Sequence, residues 1–227
     1  MKLSISWKFA ILVAVILILD QLLKIWVKTN MYIGQDINVL GNWFLLHFVE
    51  NPGMLFELEF GGKIGKYFLG VFRLLLVVLV IYGVRLSIRE KIPSGFVICL
   101  GLVLAGSISN IIDQAFYGLI FDTGTTFNAE LGTWVSYSGV SQFSNEGYAS
   151  FLQGSVVDML VFPIIRGTYP DWFPFMAGNS FIFFRYIFNI ADVAVIIGTF
   201  SIVLFYMKYL KKIISVSFKV LGIDAER

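Results

Sequence analysis

The stretch FRYIFNIADVAVIIGTF, residues 184–200, places two strongly polar side chains, Asn189 and Asp192, inside a long apolar run. The apolar run continues to Tyr206 and is long enough to cross the hydrocarbon core of a bilayer, which needs about 20 helical residues. An ionisable group within a membrane costs a few kcal/mol unless it is paired or hydrated. The stretch therefore predicts a membrane span that carries part of a functional site.

The composition indicates an integral membrane protein. Of the 227 residues, 58% are hydrophobic and 14% are charged, and the mean hydropathy is +0.82, which is too apolar for an ordinary soluble domain. The formal net charge of +2 is too small to indicate nucleic-acid binding, so no nucleic-acid partner is expected. The single cysteine, Cys99, excludes an internal disulfide framework.

Four apolar stretches are long enough to span a bilayer: 9–27, 67–88, 96–112 and 187–206. Because lipid cannot satisfy backbone polar groups, each stretch is expected to be a helix. The first is interpreted as an uncleaved span, since DQLLKIWVK follows it instead of a small-residue cleavage site. We expect an all-α integral membrane protein, a single four-span domain over residues 1–227, with a small β-cradle between helices 1 and 2 and a long loop between helices 3 and 4.

The positions of the basic residues predict the orientation of the chain. An even number of spans puts both termini on one side of the membrane. Lysines and arginines concentrate before the first span, between the second and third, and after the fourth. By the positive-inside rule these regions are cytoplasmic. The connections 28–66 and 113–186 are then extracytoplasmic, although Lys63 and Lys66 oppose the rule.

The two outer connections differ in composition. Residues 30–62 are rich in β-branched and aromatic residues with turn signals at 41–42 and 51–53, which predicts a β-hairpin or cradle followed by a turn that aims Asn51 inward. Residues 122–182 combine an insertion rich in Gly, Ser and Thr with a Trp- and Phe-rich segment that is expected to lie along the membrane interface. Either part could form a lid or guide substrate, or both could be passive.

Polar side chains from distant parts of the chain are expected at one depth, in the outer half of the bilayer. Helical spacing of three or four residues puts three polar pairs on common faces: Asp20 with Lys24, Asn110 with Asp113, and Asn189 with Asp192. Two N-x-x-D units that arrive from opposite directions can bring carboxyls together, flanked by amides, an arrangement suited to acid–base chemistry. Intramembrane charges also mark ion pathways, so a small ion- or proton-coupled carrier and a non-catalytic assembly factor are the alternatives.

Five short motifs resemble, in their order, those of the bacterial lipoprotein signal peptidases, the signal peptidase II family. They are DQLLK (20–24), ENPGMLF (50–56), SNIIDQ (109–114), GSVVDM (154–159) and FNIAD (188–192). Each motif alone is weak, but five in this order on a four-span chain are specific. The resemblance implies an aspartic endopeptidase of the bacterial cytoplasmic membrane. Such an enzyme removes the signal peptide of a prolipoprotein by cleaving before a cysteine that carries diacylglyceryl.

The resemblance also implies the residues of the site. Asp158 and Asp192 are implied as the catalytic pair, which would hold one proton between two carboxyls and activate a water molecule. Such chemistry requires no cofactor and no metal. We also expect a monomer with its active site near the outer leaflet of the lipid bilayer. The positions implied to bind substrate or support the site are Asp20, Lys24, Asn51, Gly53, Asn110, Asp113, Asn189 and Ala191.

The chain departs from the family pattern at Ser109, where the family usually has glycine, and in two further places. Gln114 stands where the family usually has arginine, so Arg73 or Arg185 could supply the missing charge. Asp122 has the usual spacing of nine positions from the aspartate of the third span, whereas Asp158 carries the fuller motif. An insertion between 118 and 154 can loop out and return the chain to the site at little entropic cost, so we favour Asp158 over Asp122.

Overall fold

The structure of the chain is a computed structural model that describes residues 4–53, 62–163, 165–183 and 186–220. Within these ranges, four helices are long and apolar enough to cross a membrane. They are α1 (Ile5–Asn30), α2 (Gly62–Arg89), α3 (Ser94–Ile120) and α4 (Ile190–Val220). A π-helical turn interrupts α3 at Asp113–Tyr117, and another interrupts α4 at Ile202–Tyr206. The chain is a multi-pass membrane protein.

Helix α3 is central and packs against α1, α2 and α4. Two glycines let the backbones of α3 and α4 approach closely, as small residues do in membrane helix pairs. A Cβ on Gly106 would lie 2.2 Å from the carbonyl oxygen of Ala191, and one on Gly198 would lie 2.7 Å from that of Cys99. The first turn of α4 is therefore pressed directly against α3.

A four-stranded antiparallel sheet covers one end of the helices. Its strands lie in the order β1 (Asp36–Leu40), β2 (Phe44–Asn51), β5 (Val156–Val161) and β8 (Ile187–Phe188). The β1–β2 hairpin lies within residues 30–62, where a cradle is predicted. Strands β5 and β8 come from the second connection, where a long loop is predicted. The prediction of an all-α protein with one small cradle is therefore too narrow, because both connections contribute strands.

Two further hairpins lie in the second connection. Strands β3 (Thr126–Asn128) and β4 (Thr133–Val135) form one of them, inside the inserted stretch. Strands β6 (Ile165–Thr168) and β7 (Ser180–Phe183) form the other. The turn between β6 and β7 exposes Trp172 and Phe175. Whether this aromatic turn lies along a membrane interface stays a prediction.

The last span begins later than predicted. Residues 187–188 form β8 instead of helix, and α4 begins after Asn189. Asn189 Oδ1 accepts the Asp192 N–H at 2.8 Å, and Asp192 Oδ2 accepts the Asn189 N–H at 3.2 Å, so the N-x-x-D motif is a capping box. The predicted motif residues 54–56 and the alternative cation Arg185 lie outside the described residues.

Candidate active site

Lys24 is the centre of a buried polar network between α1 and α3. Its side chain has no exposed surface, and its Nζ lies 2.8 Å from Asp20 Oδ2 and 2.7 Å from Asp113 Oδ2. It also donates to Asn110 Oδ1 at 2.8 Å. A buried ammonium is tolerated only when charged and hydrogen-bonding partners replace its hydration shell. Lys24 has both, and it thereby joins two spans at one depth.

The two carboxylates paired with Lys24 also hold backbone groups of other elements. Asp20 Oδ1 accepts the N–H of Ala191 at 2.9 Å, which satisfies an otherwise free donor in the first turn of α4. Asp113 Oδ2 accepts the N–H of Val157 at 3.3 Å, in strand β5. The same network therefore fixes the start of α4 and the strand that precedes Asp158.

Two asparagine amides connect this network to Asp158 and Asp192, which we call the carboxyl pair. Asn189 Nδ2 donates to Asp158 Oδ1 at 2.6 Å and to Asn110 Oδ1 at 3.2 Å. Asn110 Nδ2 donates to Asp192 Oδ1 at 2.9 Å. Each carboxyl of the pair thus receives one amide donor, and the two amides are hydrogen-bonded to each other.

The surroundings of the carboxyl pair favour a shared proton. Burial, followed by the negative charge of Asp192, raises the pKa of Asp158 well above its ordinary value, although the Lys24 ammonium opposes this shift. Asp192 is half-buried at the start of α4. Two neighbouring carboxyls ionise together only at high cost, so the pair can hold one proton between its members. Such a pair can act as acid and base in one reaction.

Asn51, the last residue of β2, lies on the Asp158 side of the sheet. In the register of β2 with β5, Val49 lies opposite Asp158 and Asn51 lies opposite Val156. Residues two apart in a strand share a face, so Asn51 and Asp158 are on the same face. Asn51 Oδ1 accepts the N–H of Gly53 at 2.9 Å, and Gly53 has a φ of +116°, a conformation that favours glycine.

Asp122, the alternative candidate, lies outside this network. Its Oδ1 accepts the N–H of Gln142 at 2.8 Å and the hydroxyls of Ser141 and Thr123 at 3.0 and 3.1 Å. Asp122 is exposed, and these donors lower its pKa, the N–H of Gln142 contributing most. The pKa of Asp158 is shifted in the opposite direction. Asp122 has the surroundings of a residue that holds a turn together.

Sequence reasoning missed a second buried ion pair, between Lys28 and Glu50. Lys28 also donates to the carbonyl oxygen of Thr123 at 3.0 Å, and Glu50 Oε2 accepts the N–H of Thr125 at 2.6 Å. The pair therefore attaches the inserted stretch to α1 and β2. The spacing of Asp20, Lys24 and Lys28 at four-residue intervals puts all three on one helix face, and this signal could have indicated a buried Lys28, although not its partner Glu50.

Gln21 is a second residue that sequence reasoning missed. Its Nε2 donates to Asp113 Oδ1 at 2.7 Å and to Ser109 Oγ at 2.9 Å, and its Oε1 accepts from the hydroxyl of Tyr117 at 3.1 Å. Gln21 stands inside the DQLLK motif, next to Asp20, so its place in the motif was the available signal.

Comparisons with known proteins agree on one family. The profile of the signal peptidase (SPase) II family matches residues 12–208. A lipoprotein signal peptidase of Porphyromonas gingivalis is 40% identical over 200 residues, which cover 87% of this chain and 81% of that protein. One of Amoebophilus asiaticus is 33% identical over 201 residues, covering 87% and 77% of the two chains.

Solved structures share the fold at low sequence identity. A bacterial membrane enzyme solved by the in meso method at 2.3 Å resolution superposes with a TM-score of 0.54 and 16% identity, over 97% of this chain and 93% of the other. A second, at 1.9 Å resolution, gives a TM-score of 0.53 and 18% identity, over 87% and 90%.

The fold and the buried network together define a multi-pass membrane protein with a polar site among its helices. The chain belongs to the signal peptidase II family, as its five motifs predicted. Membership makes it a protease of lipoprotein processing and does not support the alternative of an ion-coupled carrier.

Proposed function

We propose that this protein is an aspartic endopeptidase that removes the signal peptide of diacylglyceryl-modified prolipoproteins, cutting before the lipidated cysteine. The observation that carries the proposal is the joining of Asp158 and Asp192 through two linked asparagine amides. A pair of carboxyls that shares one proton can perform both proton transfers of peptide hydrolysis without any other group.

In the proposed mechanism the two carboxyls have different tasks. Asp158, with its raised pKa, carries the shared proton and donates it to the oxygen of the scissile carbonyl. Asp192 is less buried and takes a proton from the water whose oxygen attacks the carbonyl carbon. The resulting gem-diol intermediate collapses as its C–N bond breaks. The proton held by Asp192 passes to the leaving nitrogen, and one hydroxyl proton of the intermediate returns to Asp158, which restores the pair.

The supporting residues act by position. Asn110 and Asn189 orient the carboxyl pair, and Lys24 with Asp20 and Asp113 holds the elements from which the pair projects. Ala191 contributes its backbone N–H to Asp20. Asn51, on the Asp158 side of the sheet, and Gly53, two residues after it, are proposed to border the substrate.

The location of the protein follows from the same proposal. We propose a monomer in the bacterial cytoplasmic membrane. Both termini are proposed to be cytoplasmic, because basic residues concentrate at the ends of the spans on the side of the termini. The sheet and the carboxyl pair then lie near the outer leaflet, where the diacylglyceryl chains of a prolipoprotein can stay in lipid during cleavage. In this arrangement the described part of residues 30–62 is an outer cradle and turn, and the described part of residues 122–182 is an outer cover.

The experiment that tests the function uses Asp158→Asn and Asp192→Asn with a synthetic diacylglyceryl-cysteine peptide in detergent or liposomes. Each variant should lose cleavage by at least about a hundredfold while still binding the peptide, since general acid–base groups contribute roughly 10²- to 10⁴-fold. Asp122→Asn is the matched control and should keep activity. Cleavage by both variants of the pair at the wild-type rate would refute the proposal.

A further inference from the structure

Arg73 is a half-buried cation within the membrane span α2. Its Nη1 donates to Gln114 Oε1 on α3 at 3.0 Å. Of the ion pairs formed among the described residues, none includes Arg73. An arginine at membrane depth is costly and is by default a candidate for function. Within the described part of the chain, its charge is therefore balanced by groups further away than an ion-pair contact.

The packing of α2 on α3 fixes the position of Arg73. Gly70, one turn earlier on α2, leaves room for the Gln114 side chain, because a Cβ at that position would lie 2.8 Å from Gln114 Nε2. Gln114 Nε2 also donates to the carbonyl oxygen of Lys66 at 2.8 Å. The amide is thus held against α2 by its nitrogen, and its oxygen is directed to the arginine.

The carboxyls that attract Arg73 belong to the candidate active site. Gln114, which holds Arg73, directly follows Asp113, and the Asp113 carboxylate accepts the N–H of Val157, the residue before Asp158. The negative charges of Asp192, Asp158 and Asp113 favour the charged guanidinium from a longer range. Among the described residues, two lysines act on these groups, Lys24 on Asp158 and Lys66 on Arg73, and both have other contacts. Lys24 of α1 contacts Asp20 and Asp113, and Lys66 of α2 contacts Ser155 Oγ at 3.3 Å and the Trp134 ring at 4.7 Å.

We propose that Arg73 is a positioning residue for the reaction, whose guanidinium, held by Gln114, directs its positive charge at Asp158 and Asp192. This inference rests on the proposed function. The charge stabilises the state in which one member of the pair is ionised and can take a proton from water. The role of Arg73 also accounts for Gln114, which stands after Asp113 where the family usually has arginine. The positive charge comes from Arg73 on α2 instead.

The first test is Arg73→Gln, compared with Arg85→Gln as the matched control. Arg85 is exposed on the same helix, 12 residues away, or about 18 Å along the axis. Arg73→Gln should lower kcat by about tenfold or more, with little change in KM, because the lost interaction acts on the ionised pair. The acid limb of its pH–rate profile should move to higher pH by on the order of one unit, since a lost cation makes carboxyls harder to ionise.

The second test moves the charge across the hydrogen bond. In the double variant Arg73→Gln with Gln114→Arg, the cation comes from α3 and the amide from α2, so kcat and the pH profile should return toward the wild type. A merely structural role for Arg73 would not predict that rescue. Arg73→Lys, which keeps a charge, tests the same point if Arg73→Gln does not fold.

The outcomes separate this inference from the proposed function. If Asp158→Asn and Asp192→Asn are inactive while Arg73→Gln matches Arg85→Gln in kcat and pH profile, the role of Arg73 is refuted and the aspartic mechanism stands. If the two aspartate variants remain fully active, both proposals fail. A loss in Arg73→Gln that neither the double variant nor Arg73→Lys restores also refutes the electrostatic role.

Discussion

Two buried lysines stand one turn apart on α1 and have different surroundings. Lys24 contacts the carboxylates of Asp20 and Asp113 and the amide oxygen of Asn110; these four residues are the Lys24 cluster. Lys28 is paired with one carboxylate, Glu50. Its remaining contacts are the carbonyl of Thr123, the hydroxyl of Tyr137, and the rings of Phe121, Tyr137 and Tyr148, whose centroids lie 5.0 to 5.2 Å away.

The difference lies in which elements each lysine joins. The Lys24 cluster joins α1 to α3 and, through Asp20 and Asp113, to the first turn of α4 and to β5. Lys28 and Glu50, with their aromatic neighbours, form the Lys28 cluster, which joins α1 and β2 to the inserted stretch. One face of α1 therefore supports the candidate active site at one turn and fastens the inserted stretch at the next.

Lys24→Met should have the largest effect on stability. The substitution leaves Asp20 and Asp113 buried without their shared cation, and removal of one partner from a buried pair costs about 3–5 kcal/mol. The midpoint of thermal unfolding in detergent should fall steeply. Lys8→Met is the matched control, since Lys8 is exposed near the other end of α1 and surface substitutions stay within about 0.5 kcal/mol. Equal midpoints for the two variants would contradict this account of the Lys24 cluster.

Glu50→Gln should have a smaller and more local effect. It leaves Lys28 without its carboxylate, but the inserted stretch can open and hydrate the ammonium, which limits the cost to about 1–3 kcal/mol. A protease that cuts after glutamate should cleave at the exposed Glu130 and Glu146 faster than in the wild type.

The control for this variant is Glu90→Gln. Glu90 forms an ion pair with Lys212 at 3.5 Å, and both side chains are partly exposed, so its loss should change little. Faster cleavage in Glu90→Gln than in Glu50→Gln, or equal rates in both, would show that the Lys28 cluster does not hold the insertion.

The parts of the site that could be predicted from sequence are those set by helix geometry. Asp20 with Lys24, and Asn110 with Asp113, stand at spacings that put each pair on one helix face, and a membrane allows few other places for such groups. The capping box at Asn189 was not predicted, because the fourth span was expected to begin at 187. An N-x-x-D unit at the start of an apolar run is nevertheless a signal for it, since it can satisfy its own helix terminus.

The parts that could not be predicted depend on pairing between distant segments. Strand β5 is buried along its whole length. Its partner β2 is far away in sequence, and neither strand alone indicates their register. The Lys28 cluster was missed for a similar reason, since Glu50 projects from β2 and most of the other partners come from the insertion. Local spacing indicates a helix face but not which loop will cover it.

Asp122→Asn should have the smallest effect, and it separates the insertion from the site. Asp122 is exposed, and the donors on its carboxylate lower its pKa below the ordinary value of about 3.9. Its contribution to the stability of the insertion is therefore present above that ordinary value and is lost as the pH falls through the lower pKa of the folded state.

At neutral pH the variant should cleave the lipidated peptide at close to the wild-type rate. Its insertion should be cut slightly faster by the glutamate-specific protease. With an acid-active protease, this excess over the wild type should shrink as the pH falls through the lowered pKa of Asp122. A complete loss of peptide cleavage would instead transfer the first catalytic role from Asp158 to Asp122, and the insertion would then be part of the active site.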